Sequence, residues 1–365
     1  MTEKKKLIRL TTIDLSLDKL LRGQLEFINH YYHVIGVASD TGLLQNVSKR
    51  EGIEVINVPM HREISLVDDI KSLCSLYKLF RTEHPNIVHA NTPKGSLLAM
   101  TAAWMARVPF RVYTVTGLRY KGATGLFCWV LKTMERITCY FASHIIPEGQ
   151  GVLQTLHADG ITQKPLHVLH YGNINGIDTN FFKPLETPHK NDKFTFVFIG
   201  RIVRDKGIHE LVSCMRQIDC RLLLVGAFEE ADPIDESDKQ FLLSSQKVEY
   251  VGWQDDVRPY LAAADALVFP SYREGFPNVP IQAGSMERAC IVTDINGCNE
   301  IIKDGLNGRI VKPHDTQALL TAMEWFISHP DDVRRMGKAA RGIVTERYEQ
   351  KDVWKALLNF YNSLV

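Results

Sequence analysis

Two segments of this sequence carry side chains whose types and spacing could do chemistry. The first, Phe198–Gly207, sets Arg201 and Lys206 between two glycines, Gly200 and Gly207. A strand ending at Gly200, a tight turn and a helix beginning near Lys206 would hold both cations at one end of a sheet. Glycines at the turn let the backbone approach a ligand closely. A planar guanidinium fork beside a point-charge ammonium suits a diphosphate; taken alone, the segment also fits a solvated loop. The second segment, Phe269–Gln282, reads as a buried strand running into a loop with Glu274 and Gly275, then a helix opened by Pro277. Proline suits a first helical turn, where its missing N–H costs nothing. The N–H groups of Phe276, Asn278 and Val279 would project from that helix's amino end, which favours phosphate oxygens. Glu274 can accept hydrogen bonds from sugar hydroxyls, or else simply cap the helix.

The elements needed to position these loops are legible as alternation. Apolar runs near Leu7–Thr11, Val34–Ser39, Ile53–Pro59, Ile87–Ala90, Phe110–Val115, His144–Pro147 and Leu166–His170 read as strands. Helical patterns such as Val67–Glu83, Ser96–Arg107 and Leu126–Phe141 lie among them. The pattern restarts with strand-like Phe194–Gly200, Cys220–Val225, Val248–Gly252, Ala266–Pro270, Cys290–Asp294 and Gly308–Val311. Helices are expected at Lys206–Gln217, Asp256–Ala263, Pro277–Glu287 and Gln317–Ser328. Such alternation predicts α/β architecture: two Rossmann-like, doubly wound parallel-sheet domains. Gly172–Asp192, rich in Gly, Asn, Pro and Asp, reads as a linker. The expected division is 1–180, 181–345, and a C-terminal helix at 346–365 that packs toward the first domain, with a break near Tyr348. Tandem doubly wound domains imply a cleft at the carboxyl ends of their strands, where such sheets bind ligands.

Composition narrows the function classes. The 43 basic and 42 acidic residues leave a net charge of +1, with no basic stripe, so a nucleic-acid partner is not expected. Seven cysteines without a C-x-x-C spacing argue for reduced thiols in the cytoplasm and against a zinc site or disulfide framework. No secretory leader and no membrane-spanning run are seen. There is no G-x-G-x-x-G after any predicted strand, which sets aside a nicotinamide dehydrogenase, and no P-loop.

Taken in order, Phe198–Gly207 and Phe269–Gln282 resemble the retaining glycosyltransferases of family 4, which have the GT-B fold. The resemblance covers almost the whole chain and extends to Asn299–Gly308. His89–Lys94, Tyr113–Arg119 and the stretch Tyr171–Asp178 are similar to bacterial members that build capsule, O-antigen and other surface polysaccharides. The resemblance implies that Arg201 and Lys206 bind the leaving diphosphate and that Glu274, the first Glu of the family's E-x7-E motif, lies against the donor sugar. Gly200, Gly275, Phe276, Asn278 and Val279 would line the donor. Gly252 and Trp253 fall where the family holds the nucleotide base. The second Glu of the motif, usually a ribose ligand, is Gln282 here, a neutral group that still donates and accepts. The histidine of the family's T-V-H-G loop is Thr116 here. On the acceptor or sugar side, the expected residues are His89, Asn91, Lys94, Thr116 and Arg119; His61 is a further imidazole to consider.

The resemblance therefore implies transfer of a hexose or N-acetylhexosamine from a nucleoside-diphosphate sugar, UDP foremost, to a hydroxyl of a growing, lipid-linked glycan, with retention of configuration. The glycan or polyprenyl-diphosphate-linked acceptor is the second partner. No cofactor and no metal are expected: the nucleotide sugar is a co-substrate, and the sequence has no D-x-D to carry a bridging ion. The amphipathic stretch Leu126–Phe141 suggests peripheral contact with the inner face of the cytoplasmic membrane, or burial in the first domain. Two other readings stay open here, a sugar-nucleotide 2-epimerase and a non-catalytic binding subunit of the same fold.

Overall fold

The computed structural model describes residues 4–61, 65–185 and 192–365. The expected linker Gly172–Asp192 lies partly outside these, at residues 186–191. The chain forms two compact units, Met1–Gly176 with Lys351–Val365, and Ile177–Gln350. The first unit thus ends at Gly176 rather than at residue 180, and takes back the chain at Lys351 rather than at 346.

In the first unit the strands are β1 (Lys6–Ile13), β2 (His33–Ser39), β3 (Glu54–Asn57), β4 (Ile87–Ala90), β5 (Phe110–Val115) and β6 (His144–Pro147). They form one parallel sheet in the order β3-β2-β1-β4-β5-β6. The second unit holds β7 (Thr195–Ile199), β8 (Arg221–Val225), β9 (Val248–Gly252), β10 (Ala266–Phe269), β11 (Ala289–Thr293) and β12 (Gly308–Val311). Its order is β12-β11-β10-β7-β8-β9, again all parallel. Central strands are buried on both faces: all four residues of β4 and of β10, and all five of β7 and of β11. That explains their continuous apolar runs, since helices cover both sides of a parallel sheet. In each unit the strand order reverses once, at β1/β4 and at β7/β10, and the carboxyl ends there are the places where open sheets bind ligands.

One expected strand does not form. Leu166–His170 contributes only an isolated bridge from Leu166 to Ile145. It lies outside β6, the edge of the sheet, and Pro165 just before it carries no N–H for a ladder. The chain's last part is helical, Pro330–Arg347 and then Gln350–Leu364, with the break at Tyr348.

Helix Gln350–Leu364 belongs with the first unit, and polar groups fix it there. Arg9, in the middle of β1 and 1 % exposed, donates to His89 Nδ1, to Tyr361 Oη at 3.1 Å and to Gln24 Oε1 at 3.2 Å. Because a guanidinium can only donate, Nδ1 must accept, so Nε2 carries the ring proton and donates to Thr114 Oγ1 at 2.6 Å. Burial, with the Arg9 charge beside it, holds the His89 ring well below its usual value, so it is neutral. Trp354 Nε1 donates to Asn175 Oδ1 at 2.7 Å, and Gly23 passes under the same indole. His89 is therefore a structural residue with all its bonds made, 1 % exposed. This corrects its expected place among the acceptor-side groups. The reason is its position on a fully buried strand, where its ring meets Arg9 and Tyr361.

Candidate active site

In the second unit, β7 ends at Ile199 and the chain turns through Gly200, at φ 155°. Residues Arg204–Lys206 form a short 3-10 turn, and helix Ile208–Gln217 starts after Gly207 rather than at Lys206. The other loop leaves β10 at Pro270, and its helix runs from Asn278 to Ser285, so Pro277 stands at the cap instead of inside the first turn.

The two loops are fastened to one another. Tyr272 N–H donates to Asp205 O at 2.8 Å, and the Arg273 guanidinium pairs with the Asp205 carboxylate. A methyl on Gly207 would sit 2.1 Å from the Pro270 carbonyl oxygen, so only glycine permits this approach. Glycine at 226, a position the sequence did not single out, does the same one strand away: a Cβ there would lie 1.8 Å from Gly200 O. Gly297 likewise packs on Gly275–Pro277, with Phe276 Cα 2.7 Å from where its Cβ would be.

This joint brings Lys206 and Glu274 together as an ion pair, their side chains 12 and 16 % exposed. The ammonium also lies 5.2 Å from the centre of the Phe269 ring, a favourable cation–π position. Glu274 is held from behind by Ser271, fully buried, whose hydroxyl donates to Glu274 Oε1 at 2.8 Å. Ser271 is in turn bonded through its carbonyl by the Thr293 hydroxyl. Sequence reasoning missed Asp205 and Arg273, whose pairing joins the two loops across 68 residues, and Ser271, which meets Glu274 three residues on within an irregular loop that has no regular period to reveal it.

Arg201 is not brought to this pair. Its side chain is 55 % exposed and donates to Glu229 at 3.0 Å. The cause is backbone: Ile202 N–H bonds to Ala227 O at 2.8 Å, which draws residues 201–202 toward the segment after β8. Of the other expected donor residues, Phe276 has its ring in the core, 5.6 Å from that of Tyr348, leaving only its backbone to meet a ligand. Gly275, Asn278, Val279 and Gln282 are half-buried, with Gln282 one turn after Asn278 on the same helix. Gly252 closes β9 at φ 74°, its carbonyl accepting from the N–H of Gly226, just after β8, at 2.9 Å, and Trp253 is 63 % exposed.

On the first unit, Asn91 follows β4 and is fully buried. Lys94, expected to face an acceptor, is only 6 % exposed and pairs with Asp69 at 2.6 Å. Its side chain is thus buried against a carboxylate of the same unit rather than open at the surface. Thr116 donates to Asn91 O at 3.0 Å; Arg119 and His61 are exposed.

Family models match both units: "Glycosyl transferase 4-like domain" over residues 30–172 and "Glycosyl transferases group 1" over residues 180–343. The chain is 33% identical over 373 residues, 99% of its length and 97% of the relative's, to the capsular polysaccharide biosynthesis glycosyltransferase CapM of Staphylococcus aureus. The chain belongs to the family 4 glycosyltransferases. This glycosyltransferase is also 26% identical over 287 residues to an Escherichia coli protein described as UDP-Gal:alpha-D-GlcNAc-diphosphoundecaprenol alpha-1,3-galactosyltransferase, covering 72% of this chain and 71% of that one. The glycosyltransferase shares its GT-B fold with HepE of Anabaena, solved in complex with UDP, at a TM-score of 0.82 and 18% identity, covering 98% of this chain and 100% of HepE. The expected fold and family both hold.

Proposed function

We propose that this glycosyltransferase takes a hexose or N-acetylhexosamine from a UDP-sugar and passes it, with retention and without a metal, to a hydroxyl of a polyprenyl-diphosphate-linked glycan. The observation that carries the donor half is the Lys206–Glu274 pair at the strand-order reversal of the second unit, steadied by Ser271 and Phe269. Departure of a nucleoside diphosphate builds negative charge on the β-phosphate, which a fixed ammonium and outward N–H groups can stabilise. Arg201, on release from Glu229, would add a second cation. Glu274 would accept from donor-sugar hydroxyls, Gly252 and Trp253 would meet the base, and Gln282 the ribose. Support for UDP comes from the names of the E. coli relative and the HepE complex, and support for a lipid-linked acceptor from the former. The absence of a D-x-D in the sequence supports metal independence.

The test is incubation of purified protein with UDP-hexoses and UDP-N-acetylhexosamines in EDTA, with polyprenyl-diphosphate-linked N-acetylglucosamine as acceptor. One UDP-sugar is expected to raise the melting temperature, since only a bound ligand does so, and to be consumed in transfer. The product's anomeric configuration should match the donor's. Isomerised donor in the absence of acceptor would reveal an epimerase, and donor binding without any turnover a binding subunit.

The acceptor's lipid gives meaning to an apolar surface on the first unit. Leu126, Phe127 and Trp129, on helix Gly125–Phe141, are 77, 51 and 60 % exposed, and Leu66, Val67 and Ile70, on helix Leu66–Glu83, are 78, 64 and 61 % exposed. Both helices cross back between parallel strands, so both begin at the sheet's carboxyl end. Arg119, Lys121 and Lys132 stand nearby in sequence, the two lysines sharing Asp159. Among the described residues no helix is long and apolar enough to cross a membrane. The proposal is peripheral attachment to the cytoplasmic face through this surface. Vesicles containing anionic phospholipid should sediment the protein, and Phe127→Glu/Trp129→Glu should release it; a wild-type protein that stays in solution contradicts the attachment.

A further inference from the structure

Within the loop of residues 270–277, which forms neither helix nor strand, Ser271 and Glu274 bond to one another and Arg273 reaches Asp205. The Tyr272 side chain has partners of its own. Its hydroxyl donates to Glu210 Oε2 at 2.5 Å, and its ring meets the His314 ring, the centroids 3.7 Å apart. His314 Nδ1 stands 4.0 Å from the other Glu210 oxygen. Glu210 is 7 % exposed and lies in the first turn of helix Ile208–Gln217. His314 follows β12 and precedes Asp315, which caps helix Thr316–Ser328 by accepting from Ala318 N–H. The two helices are linked in turn, Cys214 Sγ donating to Thr316 O at 3.5 Å.

A carboxylate is costly to bury and needs polar company. A phenylalanine facing an apolar residue would fill the same space, and such replacements of buried charge are often neutral. What the hydroxyl and the carboxylate add is direction, through a short, charge-assisted bond. Burial, and then Glu210 itself, raises the phenol above its ordinary value, so it keeps the proton that it donates. His314 is held over the ring at φ 60°, a left-handed backbone uncommon outside glycine. The anchor also differs from the others. Tyr272 N–H and the Arg273 guanidinium both fasten the loop to Asp205, in the short turn Arg204–Lys206. Two loops joined to each other can shift together. Glu210 instead belongs to a helix whose buried face, with Ile208, Leu211, Val212 and Met215, is part of the core. Through Tyr272 the loop is thus fastened to a rigid element.

We propose that Glu210 and His314 are positioning residues for transfer: between them they clamp the Tyr272 ring, and so fix where Glu274, two residues on, meets Lys206. They act through Tyr272 and not on the substrate. The effect on rate rests on the transferase reading above; the effect on the loop does not.

The experiment compares wild type with Tyr272→Phe, Glu210→Ala, Glu210→Gln and His314→Asn, the last because Asn tolerates left-handed backbone. Each is assayed with the preferred UDP-sugar and its acceptor, alongside melting temperature and amide hydrogen exchange. In Tyr272→Phe and Glu210→Ala kcat should fall about tenfold or more, toward the roughly 10²-fold that a displacement of about 1 Å can bring, with the donor KM little changed. Glu210→Gln, whose amide oxygen still accepts from the phenol, should recover most of the rate. His314→Asn should lose rate in the same direction. At the Tyr272 amide, bonded to Asp205 O, exchange should quicken in Tyr272→Phe while the β10 amides exchange as in wild type. Wild-type kcat in folded Tyr272→Phe overturns the proposal, and wild-type kcat in His314→Asn removes His314 from it. Equal acceleration of exchange at Tyr272 and in β10 also overturns it, because that is a general loss of stability. Should Glu210→Ala not fold, Tyr272→Phe, which removes a single oxygen atom, decides. If the wild type itself transfers nothing, the transferase reading falls, and the exchange comparison still decides whether the clamp holds the loop.

Discussion

Lys206→Ala is expected to lower kcat about 10²–10³-fold while the protein stays folded, the loss typical when one fixed donor to a developing negative charge is removed, about 2.7–4 kcal/mol. Two effects combine. The diphosphate loses an ammonium positioned over the Phe269 ring, and Glu274 is left as an uncompensated carboxylate where an anion must arrive. The second effect can be separated from the first. In Lys206→Ala/Glu274→Gln the repulsion is gone, so the donor KM should recover toward wild type while kcat stays low. The two changes would then be strongly non-additive, as expected for groups in contact. Steady-state kinetics with the preferred UDP-sugar, alongside melting temperatures, decides the matter. A folded Lys206→Ala that turns over at the wild-type rate would remove Lys206 from the chemistry and leave its ion pair as a structural joint.

Strand positions were legible in the sequence both at the centres of the sheets and at their edges. The central strands β4 and β5 match the expected runs residue for residue, and so do the edge strands β6, β9 and β12. Continuous apolar runs separated by amphipathic helices leave little choice but a parallel sheet. The reading failed at Leu166–His170, where an apolar run that follows Pro165 meets the edge strand β6 at a single bridge and goes no further along it.

The site was legible only in part, and for the same reason that local patterns stop at local contacts. Lys206 and Glu274 could be named because each stands in a recognisable loop. That Glu229 holds Arg201 follows from how the segments after the neighbouring strands β7 and β8 lie together, whereas Ser271 holds Glu274 within one irregular loop, three residues apart, where no regular period points one side chain at the other. His89 shows the converse. Its setting beside Asn91 and Lys94 drew it toward the acceptor, but its partners are Arg9, 80 residues earlier, and Tyr361, 272 residues later. The signal that could have found this was the charged Arg9 inside an otherwise apolar strand, since a buried charge demands polar company.

Gly207→Ala is expected to cost about 2–4 kcal/mol of stability and to abolish transfer, although the methyl it adds carries no charge and faces no substrate. The backbone there is left-handed, at φ 66°, which an alanine tolerates at a cost of roughly 1–2 kcal/mol. The larger obstacle is steric. The new Cβ would lie 2.1 Å from the oxygen and 2.9 Å from the carbon of the Pro270 carbonyl, and a backbone group cannot turn aside as the end of a long side chain can. Relief requires the loop with Lys206 to move away from the loop with Ser271 and Glu274, which is the separation that catalysis cannot tolerate. Gly252→Ala supplies the control: its φ is 74°, nearly the same, and nothing lies within 4 Å of the added Cβ. Its loss should therefore be the conformational cost alone. Urea unfolding of both variants isolates the steric part as the difference between them. Equal midpoints would mean that the loops are loosely joined, and that the ion pair of Lys206 with Glu274 is made by the side chains alone rather than by the backbone beneath them.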